Sequence, residues 1–247
     1  PPTLKTSVVS LNGKHSSTPG RAKHSSCIWI ISAILLILLP VWSSLTALTK
    51  IMEKLLFATN NTHKLAEVRQ ILQERCTLIS LAEAGVQSNP AEDAPTLEGN
   101  ARIKVRDAHR LSQLPTIADD TGLEVDCLEG APGVHSARYA GEAHNDAANR
   151  QKLVEDLRAF DPPYNARFRT VVAYIDAAGD EYLFEGSVEG TIILEERGEA
   201  GFGYDALFVP EGEERTFAQM SELEKNAMSH RARAIAAFSQ YLKQHPL

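Results

Sequence analysis

The stretch Lys54-Leu55-Leu56-Phe57-Ala58-Thr59-Asn60-Asn61-Thr62-His63-Lys64-Leu65 decides the fold class. Lys54 to Ala58 is the short, mostly apolar run expected of a buried strand. The polar turn Thr59 to Lys64 interrupts it. Leu65, Val68 and Leu72 then recur at i, i+3 and i+7, with Ile71 beside them, as on the apolar stripe of a helix. A strand, a polar turn and a helix in that order open an α/β unit.

The pattern continues outward. Cys76 to Leu81 predicts a second strand, residues 83–95 a loop, and Pro95 to about Ser112 a helix. Pro115 to Ala118 predicts a strand that ends at Asp119-Asp120. Asn145 predicts a helix cap, with Leu153, Leu157 and Phe160 on one face and Pro162-Pro163 as the stop. Two strands, Arg167–Asp176 and Glu181–Gly190, form a hairpin through Ala177-Ala178-Gly179-Asp180. Tyr204 to Val209 reads as one more strand. From Ser221 the pattern is helical to the C-terminus, with Ser221 and Glu224 as a capping box and Ile235, Phe238 and Leu242 as the apolar stripe. Early alternation of strand and helix with a hairpin in the middle predicts an α/β protein with a mixed sheet.

Among 247 residues, 43% are hydrophobic and 23% charged, which excludes a disordered chain, a collagen-like fibre and a polytopic membrane protein. The net charge of −7 is unevenly spread. Residues 1–51 hold five basic residues and no acid, so residues 52–247 hold 20 basic and 32 acidic side chains, a balance of −12. An acidic body argues against nucleic acid as a partner, because such binding depends on Lys and Arg neutralising phosphates. Cys27, Cys76 and Cys127 make no disulfide framework, which points to a reducing compartment. Residues 1–51 differ from the rest. Their apolar run Cys27 to Trp42 fits an export signal, a short anchor or upstream sequence outside the fold. The last reading is adopted, with 52–247 as the single functional domain, no membrane partner and a cytoplasmic location.

Five clusters could carry chemistry, and each also has an ordinary reading. Thr59-Asn60-Asn61-Thr62-His63-Lys64 offers amides at a helix start, hydroxyls and a Lys to a phosphate, or simply caps a helix. Ala118-Asp119-Asp120-Thr121-Gly122 places two carboxylates where they could hold a hard cation or take a proton from water, or merely turn the chain. Because adjacent strand residues face opposite ways, only one of these Asp residues is expected to work in the site. Asp120-Thr121-Gly122 also spells the aspartic-protease triplet, but no second copy exists to share its proton. Glu92 and Asp93, with Glu98-Gly99-Asn100-Ala101 and Lys104, could complete a metal and phosphate site or dress a helix N-terminus. Gly201-Phe202-Gly203-Tyr204-Asp205 could bring backbone and an aromatic ring to a flat ligand, or bury an aromatic at a strand entry. Lys225 with Ser229-His230-Arg231 could supply donors to a carbonyl or phosphate oxygen, or form a solvated helix face.

Taken in series with Ala131-Pro132-Gly133 and Ser136-Ala137-Arg138-Tyr139, these clusters resemble the inosine triphosphate pyrophosphatase family, the Ham1/RdgB-type enzymes, from residue 52 to about 243. Asn60 stands where many members have Gly, and Leu97 and Gly99 where Phe and Glu are usual. The resemblance implies an elongated, two-lobed, mixed-sheet α/β fold and a homodimer. It implies Mg²⁺-dependent hydrolysis of the small-molecule purine nucleoside triphosphates ITP, dITP and XTP to monophosphate and pyrophosphate. Thr59, Asn60, Asn61, Thr62, His63 and Lys64 would bind phosphates, with Lys104 assisting. Asp120 would accept the water proton and, with Glu92, ligate the metal, while Thr121 touches substrate. Phe202, Gly203, Tyr204, Asp205, Lys225, His230 and Arg231 would form the base-side and ribose-phosphate contacts. His230 and Arg231 would offer donors to the 6-carbonyl that ATP lacks.

Overall fold

A computed structural model describes residues 54–72, 76–141 and 145–247. Residues 1–51, read above as an extension, and Met52 lie outside the described residues. Strand β1 (Lys54–Phe57) leads into helix α1 (Thr62–Leu72), then β2 (Thr77–Ser80) and α2 (Leu97–Ser112). Next come β3 (Thr116–Val125), α3 (Asp146–Leu157), the hairpin β4 (Tyr164–Ile175) and β5 (Glu181–Ile192), and β6 (Phe208–Pro210). Helices α4 (Glu222–Met228) and α5 (His230–Gln244) end the chain. Among the described residues no helix is long and apolar enough to cross a membrane.

The strands make one mixed sheet in the order β2-β1-β3-β4-β5-β6. β1 runs parallel to β2 and β3, and every later pairing is antiparallel. The alternation of side chains along each strand assigns the two faces. Leu55, Phe57, Ile117, Val172 and Tyr174 pack against Val68 and Leu72 of α1 and Ile235 and Phe238 of α5. Leu56, Ala118, Val171 and Ala173 pack against Leu97, Ala101, Val105 and Ala108 of α2. A further cluster joins Leu153 and Leu157 of α3 to Leu123, Phe168, Val188 and Phe208.

Four expectations are corrected. β3 does not stop at Asp119 but continues to Val125 in register with β4, because buried partners satisfy its acids and a turn is not needed. β6 begins at Phe208, not Tyr204: positive φ at Gly201 and Gly203 and the bonds Asp205 N to Phe202 O and Leu207 N to Tyr204 O fold the preceding residues into turns. The C-terminal helical pattern is two helices, since Ser229 leaves helical geometry at φ −64°, ψ 156° and its hydroxyl caps α5. α3 ends at Leu157, ahead of Pro162-Pro163, and Phe160 is 41% exposed instead of sharing the apolar face. Asn145 does cap α3, and Ser221 and Glu224 do form a capping box.

Candidate active site

β1 pairs with β3 only at Thr116 and Ile117 and stops at Phe57, while β3 runs on with β4 as its remaining partner. Both faces of β3 therefore open onto a single space beyond the carboxyl end of β1, where ligands enter parallel sheets. The resulting cleft has a volume of about 530 Å³. Every residue to which the resemblance assigns a role lines it, from Thr59 through Glu92, Lys104 and Asp120 to His230 and Arg231, whereas Asp93, Glu98, Asn100, Gly201 and Ser229 of the same clusters do not. The two adjacent carboxylates, Asp119 and Asp120, do face opposite ways along β3, as expected, and both border the cleft.

Asp120 points toward α2. Lys104 Nζ donates to Asp120 Oδ1 at 2.7 Å and to Glu92 Oε2 at 2.8 Å, so two carboxylates converge on one cation. Asn100 Nδ2 lies 3.4 Å from Asp120 Oδ2 and fixes the other oxygen. Burial pushes the Asp120 carboxyl up, and Lys104 and Lys64 only partly offset this. The Lys104 ammonium is penalised by burial as well, but Asp120, Glu92 and Asp119 together raise it above its ordinary value.

Asp119 points toward α1 and α5. Its carboxylate takes Lys64 Nζ at 3.2 Å, Arg231 Nε at 3.1 Å and the Thr121 hydroxyl at 3.2 Å. Burial pushes this carboxyl up, but Lys64, Arg231 and Lys104 outweigh it and hold it well below the usual carboxylate range. Arg231 also donates through Nη1 to Glu67 and through Nη2 to Thr121 Oγ1 at 3.1 Å. Lys225 is buried between Glu67 Oε1 at 2.9 Å and Asp205 Oδ2 at 2.7 Å. Glu67 thus joins the two cations of the C-terminal helices to α1.

The turn after β1 is built by local bonds. Thr59 Oγ1 accepts the Asn61 N–H at 3.1 Å, and Asn61 Oδ1 accepts the amides of His63 at 2.9 Å and Lys64 at 3.1 Å. Asn61 therefore caps α1, and Thr62, His63 and Lys64 form its first turn and not a loop. Asn60 reaches Ser88 O at 3.4 Å. Across the cleft, the Phe202 ring stacks on His63 at 5.4 Å between centroids, with Lys225 Nζ at 4.9 Å and the Arg231 guanidinium at 5.7 Å over it. His230 stacks on Phe168 at 4.6 Å, and its buried Nδ1 has no hydrogen-bond partner in the protein. Burial, then Arg231 and Lys225, lower its pKa well below the ordinary imidazole value, so the ring is neutral at pH 7.

Sequence reasoning missed Glu67, Asp146 and Phe168. Glu67 had a signal: it lies three residues after Lys64 and four before Ile71, on the inward side of an amphipathic helix, where an acid needs a buried partner. Asp146 and Phe168 had none beyond their spacing.

The arrangement can neutralise a polyanion with Lys64 and Lys104, take a proton at Asp120, and hold a flat ring against Phe202. Comparison with known proteins agrees in extent. The Ham1 family matches residues 55–241. A dITP/XTP pyrophosphatase of Porphyromonas gingivalis is 52% identical over 191 residues, covering 77% of this chain and 98% of that protein. One of Christiangramia forsetii is 42% identical over 191 residues, covering 77% and 100%. The solved structure of a HAM1 protein from Coxiella burnetii superposes with a TM-score of 0.72 at 38% identity, covering 78% of this chain and all of that one. The Staphylococcus aureus Ham1 protein gives 0.70 at 34% identity, covering 78% and 99%.

Proposed function

This chain belongs to the Ham1 family, and from that premise we propose that it hydrolyses non-canonical purine nucleoside triphosphates, namely ITP, dITP and XTP, to the monophosphate and pyrophosphate. One observation carries the reading: phosphate-type donors (Lys64 and Lys104) and ring-type surfaces (Phe202 and His230) open on the same cleft as the Asp120 carboxylate. A nucleoside triphosphate presents those two chemistries at opposite ends of one molecule.

Water attacks the α-phosphorus in this reading, and Asp120 accepts its proton as the bond to the pyrophosphate oxygen breaks. A carboxyl raised by burial holds a proton more readily than a free one, and the Lys104 ammonium at 2.7 Å favours its ionised form. Lys64 and Lys104 offset the charge on the triphosphate, which gains strength where water is excluded. Glu92 and Asp120 fit Mg²⁺ in donor chemistry, since two hard oxygens already meet on one cation. When bound there, Mg²⁺ would supply charge neutralisation for the phosphates and the leaving pyrophosphate. The same reading takes the cytoplasm as the place of action and a homodimer as the assembly.

At the base, the unpartnered Nδ1 of a neutral His230 is free to carry an N–H toward a 6-carbonyl. Arg231 spends Nε and one hydrogen of each terminal nitrogen on Asp119, Glu67 and Thr121, and each terminal nitrogen keeps a second N–H. Adenine presents an amine at position 6, so donor would face donor and a buried group would go unpaired.

The test is a substrate panel of ITP, dITP, XTP, ATP and GTP with Mg²⁺, assayed for pyrophosphate and monophosphate. The expected kcat/KM for ITP exceeds that for ATP by about 10²-fold or more, as polar mismatch at a buried donor allows. Equal rates on ATP, or release of orthophosphate and a diphosphate, would contradict the assignment.

A further inference from the structure

Helix α3 carries two residues that the reaction above does not use. Asp146 and Arg150, one helical turn apart, grip a single residue of the neighbouring loop from both of its peptide groups. Asp146 Oδ2 accepts the Gly203 N–H at 2.7 Å, and Arg150 Nη1 donates to the Gly203 carbonyl at 2.9 Å. Arg150 is itself tied to Glu196 at 2.9 Å. The loop needs outside support, because Gly201 and Gly203 sit at φ +75° and +62° and glycine has little conformational preference of its own. α3 is a firm anchor, since Leu153 and Leu157 are buried in the core.

Between the two glycines stands Phe202. Its N–H is held by Asp205 Oδ2 at 2.9 Å, and its ring lies against His63 and beneath Lys225 and Arg231. The hydrogen bonds to Gly203 act on the residue next to that ring. Asp146 borders the cleft; Arg150 is not among its lining residues.

We propose that Asp146 and Arg150 are positioning residues for ring recognition: they fix Gly203 and thereby hold Phe202 where the purine stacks. The identity of the stacked ligand rests on the functional reading above, whereas the clamp itself does not. An optimal stacking surface must be held within fractions of an ångström, and a glycine-flanked loop does not achieve that alone.

The experiment compares Asp146→Ala, Asp146→Asn and Arg150→Met in the full chain, each alone and combined with Phe202→Ala. Asp146→Ala and Arg150→Met should raise KM for ITP about tenfold, with kcat within about threefold of the parent, as loss of a charge-assisted bond to a binding element implies. Asp146→Asn keeps an acceptor oxygen and should recover most of the loss. In the Phe202→Ala background the same substitutions should change KM by less than about twofold, because nothing remains to be positioned. Additive effects, or kcat falling as much as KM rises, would overturn the proposal. A second readout needs no activity: amide hydrogen exchange of residues 201–205 in the unliganded protein should speed up about tenfold or more in Asp146→Ala and Arg150→Met. Unchanged exchange would overturn the clamp. If the parent releases no pyrophosphate from ITP, the functional reading falls and exchange alone decides the clamp. Should Asp146→Ala fail to fold, Arg150→Met carries both readouts.

Discussion

Asp119 and Asp120 are adjacent in sequence, yet β3 turns them to opposite faces, so the same substitution at each has different consequences. Asp120→Asn keeps size and leaves Lys104 with Glu92 as a partner, so the protein should fold normally. It removes the proton acceptor, and pyrophosphate release from ITP should drop about 10²- to 10⁴-fold. Asp119→Asn strips the charge that pairs Lys64 with a fully buried Arg231, leaving Glu67 as the guanidinium's carboxylate. Breaking a buried pair from one side costs about 3–5 kcal/mol, so this variant should show the lower melting temperature. Thermal melts and initial rates on both variants check the ranking; two equally mild variants would contradict both roles. At this scale the sequence was legible for residue type and silent on pairing. Alternation along a strand predicted that the two Asp side chains face opposite ways, but not that both faces border one cleft, which depends on where β1 ends. Glu67 was hidden by the same lack of pairing information, since its partners lie more than 150 positions away.

Helix α5 delivers His230 and Arg231, and its distance from β5 is set by one residue. A Cβ on Gly186 would stand 2.3 Å from the His230 carbonyl oxygen and 2.4 Å from the Ala234 nitrogen, both backbone atoms that cannot rotate away. Gly186→Ala should therefore push the helix outward. Overpacking of this kind costs about 1–3 kcal/mol, and displaced His230 and Arg231 should raise KM for ITP. A melting temperature and KM matching the parent would show that the helix absorbs the methyl group without moving. Elements were legible wherever period and cap agreed: the Asn145 cap and the Ser221–Glu224 capping box stand as read, and the β4–β5 hairpin does too except that β4 starts earlier, at Tyr164, and β5 runs on to Ile192. They were misread where a tertiary partner overrides local chemistry. Asp-Asp-Thr-Gly spells a turn until Lys64, Lys104 and Arg231 neutralise it within a strand. Ser229 looks like one more helical residue until its hydroxyl is seen to start a new helix, which re-aims the two residues that follow it.

Taken whole, the body from residue 52 carries a net −12, and yet one cleft gathers Lys64, Lys104, Lys225 and Arg231 against buried acids. Such a molecule repels long polyanions at its surface while offering a local site to a short one, which fits a nucleotide better than a nucleic acid. The constellation was legible because each cluster is a short run of polar residues at or near the end of a strand or helix, and those runs line one cleft. The central claim is that water attacks the α-phosphorus. It is tested most directly by hydrolysing ITP in heavy-oxygen water and weighing the products by mass spectrometry. The account predicts one heavy oxygen in inosine monophosphate and none in pyrophosphate. Label in pyrophosphate, or in orthophosphate released beside a diphosphate, would contradict it.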